Sequence, residues 1–369
     1  MRFIRRSPKF FLILIIKKDP PVPSQSTPRP YGLLAVLAGL CATVLPAASA
    51  LAAEELNIYS ARHYDTDLAL YERFTEETGI EINLVEGKSE ELLARIAQEG
   101  EFSPGDVLLT VDAGRLWQAE QSNAFQPFTS ALIEQRVPAH LRHPDNLWFG
   151  ISKRARIFIY NKTDGQPDGL RTYADLANPA LGQSICVRSS SSIYNISLLA
   201  SIISHEGTEA AEAWAEGVVG NFQRAPQGND TAQIEAVGAG ECRIGIANTY
   251  YLGRLLGSAS EEERALAHKV GVIFPDQDGR GTHVNISGAG LLTYAPNKEN
   301  AVKFLEYLTS DWAQKILAEG NNEYPAAKDV KTEGPVATLG TFKEDAINAS
   351  ELGRNQALAI RIFDRAGWR

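Results

Sequence analysis

Apolar and polar positions alternate in a regular order from residue 55 onward and predict a β-α-β-α-β succession. Residues 55–60 and 80–84 follow the period-two pattern of half-buried strands. Between them, a helix is predicted that Asp65 or Thr66 caps and Gly79 ends, with apolar side chains at positions 68, 70, 71 and 74 on one broad face. SEELLARIAQEG and DVLLTVD then predict a second helix and a third strand. Such a succession favours a mainly parallel sheet with helices on both faces.

The rest of the chain predicts a second α/β lobe reached through extended crossings. LWFGISKRARIFIYN (147–161) is a long extended stretch with interleaved basic residues, and HVNISGAGLLTY is a second one. ENAVKFLEYLTSDWAQKILAEG has the period of a single helix. We therefore predict a bilobal α/β binding protein with a central ligand cleft and extended hinge crossings. The predicted first lobe is 54–152 plus about 284–335, and the second is 153–283 plus about 336–369.

Residues 1–53 form a separate targeting region by pattern. An uncharged apolar run over 32–50 ends in small residues, with ASA and ALA as two candidate cleavage sites. By length alone the run also suits a membrane helix, but the small residues and the acidic Glu54 and Glu55 favour a cleaved signal. Cleavage is predicted near 50–53, which places the mature protein in the periplasm.

Net charge separates this region from the rest of the chain. The first 53 residues carry seven Lys or Arg and one Asp, so of the total charge of −9 the segment from Glu54 carries about −15. Such an acidic body argues against nucleic acid or an anionic membrane as a partner. Two of the three cysteines, Cys186 and Cys242, lie in this acidic body, and in an oxidising compartment they predict a disulfide bond.

The usual catalytic and nucleotide-binding motifs are missing from the sequence. It contains no G-x-x-x-x-G-K-[ST], no G-x-S-x-G and no H-E-x-x-H, and its glycine-rich stretches lack dinucleotide spacing. A two-domain α/β enzyme shares the lobe pattern, but no nucleophile or base can be named for it. We expect a protein that is not an enzyme.

Tyrosines follow three of the predicted strands. His63 and Tyr64 stand in SARHY, Tyr194 in the serine-rich turn SSSSIYN, and Tyr250 and Tyr251 in IANTYY. Each motif occupies the carboxyl end of a strand, where open α/β sheets bind their ligands. Several phenols at one edge predict a ligand site.

One spacing suggests how two of these motifs meet. Cys186 precedes Tyr194 by eight residues, and Cys242 precedes Tyr250 by eight. Two neighbouring parallel strands in register would bring the cysteines within bridging distance and the tyrosines to one rim.

Phenols at one site suit a hard cation of high charge. A phenol titrates near pH ~10, so a tyrosinate at neutral pH requires strong positive charge beside it. Ferric iron supplies that charge and accepts anionic oxygen ligands, whereas zinc or copper would call for more His and Cys than a chain with six histidines offers. The alternative is an organic cation, of the thiamine or polyamine type, on which the tyrosines would stack.

A family resemblance rests on these motifs. NIYSARHYDTDLALYERFTEETGIEINLVEG, SSSSIYNIS, GNDTAQIEAVGAGECRIGIANTYYLGRL and THVNISGAG resemble periplasmic ferric-ion-binding proteins, the substrate-binding subunits of iron ABC transporters. The likeness covers nearly all of 54–369 and is greatest to the tyrosine-rich type of cyanobacteria. It implies a monomer that carries Fe³⁺, or alternatively Fe²⁺, in an interlobe cleft to a permease of the inner membrane. The branch that binds carbonate or phosphate with the iron matches less well, so no exogenous anion is expected.

The resemblance also implies a ligand set. The residues that it places on the metal are Tyr64 and an additional candidate, His63, from the first lobe, and Tyr194, Tyr250 and Tyr251 from the second. Fe³⁺ with four tyrosinates has a net charge of −1, and a buried uncompensated charge is costly. Arg254 lies three residues after Tyr251, on the same face of a helix, and is the expected source of compensating charge, with Arg62 as a further candidate.

Overall fold

The computed structural model describes residues 2–4 and 54–369. Apart from Arg2–Ile4, the predicted targeting region and its cleavage site lie outside the described residues. The strands of the described ranges are β1 (Arg2–Ile4), β2 (Glu55–Ser60), β3 (Glu81–Glu86), β4 (Val107–Val111), β5 (Trp148–Asn161), β6 (Ile185–Cys186), β7 (Ile244–Asn248), β8 (Val270–Ile273), β9 (Val284–Leu291) and β10 (Tyr324–Pro325).

Helices alternate with these strands throughout the described ranges. They are α1 (Asp67–Thr78), α2 (Ser89–Glu99), α3 (Ala113–Gln121), α4 (Ala131–Arg136), α5 (Ile193–Gly220), α6 (Asp230–Gly238), α7 (Thr249–Leu256), α8 (Glu261–His268), α9 (Lys298–Tyr307), α10 (Asp311–Asn321), α11 (Gly334–Ala337), α12 (Ala349–Arg354) and α13 (Gln356–Ala366). Within the part of the chain that the structure describes, no helix combines the length and the apolar character needed to cross a bilayer.

The strands form a mixed sheet in the order β1-β3-β2-β4-β9-β5-β7-β6, with β8 and β10 also paired to β5. The predicted β-α-β-α-β succession is present, and β2 pairs in parallel with both β3 and β4. The sheet is not mainly parallel, however, because β9 runs antiparallel to β4 and β5. Among the described strands, parallel pairing is confined to β2 with β3 and β4 and to β6 with β7, and helices connect the strands of each set, as a parallel pair requires.

Strand β5 connects the two ends of this sheet. Residues 148–155 pair with β9, whereas residues 156–161 pair with β7 and, in part, with β8. The register of β5 against β9 shifts between Gly150 and Ser152. The stretch predicted to cross between lobes is therefore one strand that both halves of the sheet share.

Local sequence signals account for most helix ends, with one correction. Gly79 ends α1 with φ 74°, as predicted, because a glycine adopts this left-handed conformation without a Cβ clash. The segment 299–320 was predicted as one helix, and this prediction is wrong. Helix α9 ends at Tyr307, and Ser310 begins α10 by accepting a hydrogen bond from the Ala313 amide. Hydrophobic periodicity continues across that break because both helices pack on the same core.

Candidate metal centre

The three tyrosine motifs lie where strands give way to helices. Tyr64 lies in the loop between β2 and α1, and Tyr250 and Tyr251 lie in the first turn of α7, directly after β7. Tyr194 is the second residue of α5, so it belongs to the helix rather than to the turn before it. The backbone of Tyr194, Tyr250 and Tyr251 is therefore fixed by the first turns of two helices.

The phenol groups come together at one point. The Tyr250 hydroxyl donates to the Tyr194 hydroxyl at 3.0 Å. The rings of Tyr250 and Tyr251 stack with centroids 4.3 Å apart. Tyr64 is near enough to act electrostatically on both Tyr194 and Tyr250. Residues separated by up to 187 positions in the sequence therefore form one cluster of four phenols.

Burial and mutual repulsion keep these phenols protonated in the absence of a cation. Burial, followed by the charge of Tyr251, raises the pKa of Tyr194 to about 12. Burial likewise raises the pKa of Tyr64 and of Tyr250 well above the ordinary value, and neighbouring tyrosines add to the effect. Ionising several of these groups together requires a compensating cation of high charge.

Sequence reasoning missed several charged residues near Tyr194, among them Arg154. The guanidinium carbons of Arg188 and Arg156 lie 5.0 and 6.0 Å from the ring centroid. Arg154 is buried in β5, and its guanidinium carbon lies 5.8 Å from the centroid of the Tyr194 ring. Against the dominant effect of burial, its positive charge lowers the pKa of Tyr64, Tyr194 and Tyr250. The signal in the sequence was KRAR, where basic residues interrupt an otherwise apolar strand at positions whose side chains are buried.

Arg254 and Arg62, the two predicted charge partners, have different environments. Arg254 is exposed, with its guanidinium carbon 5.9 Å from the Tyr250 ring and 5.8 Å from the Tyr251 ring. Arg62 is buried and lies 4.9 Å from the Tyr64 ring. Because water screens an exposed charge, Arg254 acts less strongly than a buried guanidinium at the same distance.

His63 lies at the edge of this cluster. Its side chain is exposed and, with Tyr64, lines a cavity of about 290 Å³ whose other charged residues are Arg62, Lys88, Glu90 and Arg115. The imidazole therefore faces a basic, solvent-accessible cleft. The structure places it next to Tyr64 in the chain but outside the buried group of phenols.

A buried ion pair fixes the two helices that carry Tyr194 and Tyr250. Arg156 pairs with Asp230 at 2.6 Å and donates to the Asn195 and Asn248 side-chain oxygens at 2.7 and 3.2 Å. Asn195 follows Tyr194, and Asn248 precedes α7. Asp230 also accepts from the Asn248 amide at 2.7 Å. One guanidinium thus ties together the first turns of both helices.

A disulfide bond joins Cys186 and Cys242, with Cα atoms 5.9 Å apart. Strands β6 and β7 are parallel neighbours, as the eight-residue spacing suggested, and the two tyrosines meet at the rim. The expected register is wrong, because Cys186 lies opposite Gly245 and Cys242 precedes the first residue of β7. The bond therefore spans from β6 to the turn before β7.

Comparison with known proteins identifies the family to which the chain belongs. A model of the bacterial extracellular solute-binding protein family matches residues 69–346. The chain belongs to this family. It is 53% identical over 316 residues to iron uptake protein A1 of Synechocystis sp., which covers 86% of this chain and 88% of that protein. Iron uptake protein A2 of the same organism is 47% identical, over 90% of this chain and 95% of its own length.

Solved structures agree with this assignment. A Trichodesmium protein solved in complex with iron and citrate has 54% sequence identity and a TM-score of 0.84, covering 85% of this chain and all of its own. Apo FutA2 of Synechocystis has 48% identity and a TM-score of 0.82, covering 86% and 100%. The predicted bilobal binding-protein fold and the resemblance to periplasmic ferric-ion-binding proteins are confirmed. The relatives are iron proteins and not organic-cation binders, so the organic-cation alternative is wrong.

Proposed function

We propose that this protein binds Fe³⁺ in the periplasm and delivers it to an ABC permease of the inner membrane. The observation that carries the proposal is the convergence of four phenols, three of them with raised pKa values, beside a buried guanidinium. The iron proteins among its relatives support the same cargo. No reaction is catalysed in this proposal, and the protein acts as a monomeric carrier.

The proposed ligands are Tyr64, Tyr194, Tyr250 and Tyr251, with His63 as an additional ligand reached from the exposed side. Each phenol would lose its proton as iron binds, because the charge of Fe³⁺ offsets the repulsion that raises the phenol pKa values. The hydrogen bond between Tyr250 and Tyr194 would then be replaced by two bonds to the metal. Binding therefore releases protons, and iron affinity falls as the pH is lowered.

Charge compensation would come mainly from Arg154. Fe³⁺ with four tyrosinates has a net charge of −1, and this charge would be buried beside the guanidinium. Arg62 would place a second positive charge beside Tyr64. Arg254 would add a smaller positive contribution, because water screens its charge. Fe²⁺ with the same four tyrosinates would have a net charge of −2, so the ferrous ion would favour retention of one phenol proton.

With the lobe boundaries predicted from the sequence, iron binding would also change the conformation of the protein. Under those boundaries Tyr64 belongs to the first lobe and the other three phenols to the second, so metal ligation joins the lobes. Iron would then shift an open–closed equilibrium in proportion to its preference for the closed form. Strand β5, which both sheet halves share, would act as the hinge.

Spectroscopy on the purified protein tests the proposal. Ferric iron added to the apo-protein should produce a visible tyrosinate-to-iron charge-transfer band that a strong chelator or acid removes. Tyr250→Phe should weaken the band and the affinity, whereas Tyr160→Phe, at a tyrosine outside the cluster, should change neither. A protein that binds no iron and stays colourless would rule out the proposed function. Titration with citrate present and absent decides whether an anion accompanies the metal.

A further inference from the structure

Glu323 is a buried carboxylate that two arginines connect to the phenol cluster. It lies between α10 and β10, and its side chain is 1% exposed. Its oxygens lie 3.6 Å from the Arg62 guanidinium and 3.9 Å from that of Arg154. Ser152 in β5 donates to it at 2.5 Å. Both guanidiniums that contact Glu323 also face phenols, at 4.9 Å for Tyr64 and 5.8 Å for Tyr194.

Three carboxylates surround these two guanidiniums, so the negative charges outnumber the positive ones. Arg62 pairs with Asp67 at 2.8 Å as well as with Glu323. Arg154 lies 3.7 Å from Asp112 as well as near Glu323. These two positive and three negative charges sum to −1.

The other two carboxylates, Asp112 and Asp67, accept hydrogen bonds that stabilise the local fold. Asp112 accepts from the Gly114 amide at the start of α3 and from the Ser197 hydroxyl, and Asp67 accepts from the Asn321 side chain. Glu323 instead accepts from Ser152 and lies between the two guanidiniums.

We propose that Glu323 acts through Arg62 and Arg154 to limit the affinity of the site for ferric iron. This inference rests on the proposed function. The negative charge of Glu323 offsets part of the positive charge of Arg62 and Arg154, which would otherwise stabilise the tyrosinates. The iron centre of net charge −1 is then close to a buried carboxylate of the same sign, and this repulsion favours release of the ion. A carrier that must deliver its cargo benefits from such a limit.

The test compares Glu323→Gln with the wild type by competition against a chelator and by the charge-transfer band as the pH is lowered. Glutamine has nearly the same shape but no charge, so ferric affinity should rise about 10-fold and the band should persist to lower pH. Glu344→Gln is the matched control, because Glu344 is also a largely buried, ion-paired carboxylate but contacts Lys153 and His140 instead. That control should leave the affinity and the band unchanged.

Unchanged or weaker binding by the Glu323→Gln protein would overturn the inference, since it would mean that the carboxylate only supports the structure. If that variant does not fold, Ser152→Ala tests the same charge in the opposite direction. Losing the hydroxyl leaves the Glu323 charge less offset, so ferric affinity should fall about threefold; unchanged or higher affinity would overturn the inference. A wild-type protein without a band refutes the proposed function itself. A wild-type band that does not respond to the Glu323 substitution refutes only this inference.

Discussion

Replacing Arg154 with methionine removes a buried positive charge beside the phenol cluster. Its guanidinium carbon is 5.8 Å from the Tyr194 ring; Arg154 is buried and Tyr194 is half-buried. At an effective dielectric constant of ~20, one unit charge at this distance contributes about 3 kcal/mol, equivalent to a ~100-fold change in ferric affinity. Arg254→Met is the control, because its guanidinium lies 5.8 Å from the Tyr251 ring but in solvent. There the same charge contributes ~0.7 kcal/mol, or about threefold, before screening by salt.

The assay is competition for ferric iron against a chelator of known affinity, followed by the charge-transfer absorbance. Circular dichroism establishes that each variant is folded, since removing Arg154 takes away the cation next to Asp112 and leaves Glu323 with Arg62 alone. Arg154→Lys retains the charge and should recover much of the affinity. Equal losses in the Arg154→Met and Arg254→Met proteins, or a larger loss in the latter, would refute the assignment of charge compensation to the buried residue.

Three further outcomes are expected. Tyr250→Phe should lower ferric affinity at least ~10-fold, because one anionic ligand is lost; chelator competition measures this, and wild-type affinity would contradict it. Glu344 has its pKa lowered to about 2 against burial by His140 and Lys153, so Glu344→Gln should cost up to about 3 kcal/mol at neutral pH. That contribution is present above the unfolded pKa near ~4.5 and is lost as pH falls toward 2, so urea melts of the two proteins should converge in acid. Burial, followed by Arg156, lowers the pKa of His283 to about 3. The wild type should therefore lose stability from pH ~6.5 downward as the unfolded state takes up a proton, and His283→Gln should show a shallower decline in the same melts.

Local patterns were sufficient to predict much of this protein. Periodicity located β2, α1 and β3, and the glycine that ends α1 was identified correctly, because strand alternation and left-handed helix ends depend on neighbouring residues. The strand-end positions of SARHY, SSSSIYN and IANTYY followed from the same local signals. With the family resemblance, they were enough to predict an iron-binding protein.

Pattern could not decide where elements pair or break. The eight-residue spacing predicted that β6 and β7 are neighbours but not their register, because periodicity does not identify which residues lie opposite each other. The break between α9 and α10 was missed for a related reason. Both helices face one core, so the apolar period continues through Ser310.

The sequence by itself determined which elements form and which phenols stand at strand ends, because those features depend on residues close together in the chain. Only the tertiary structure decided the electrostatics of the site. Arg62, Arg154 and Glu323 come from three distant segments, and their charges act on the phenols only when folding buries them together in a medium of low dielectric constant. The sequence pointed to Arg62 and Arg254 because they are close to tyrosines in the chain, whereas Arg154 reaches the phenols from the strand that both halves of the sheet share.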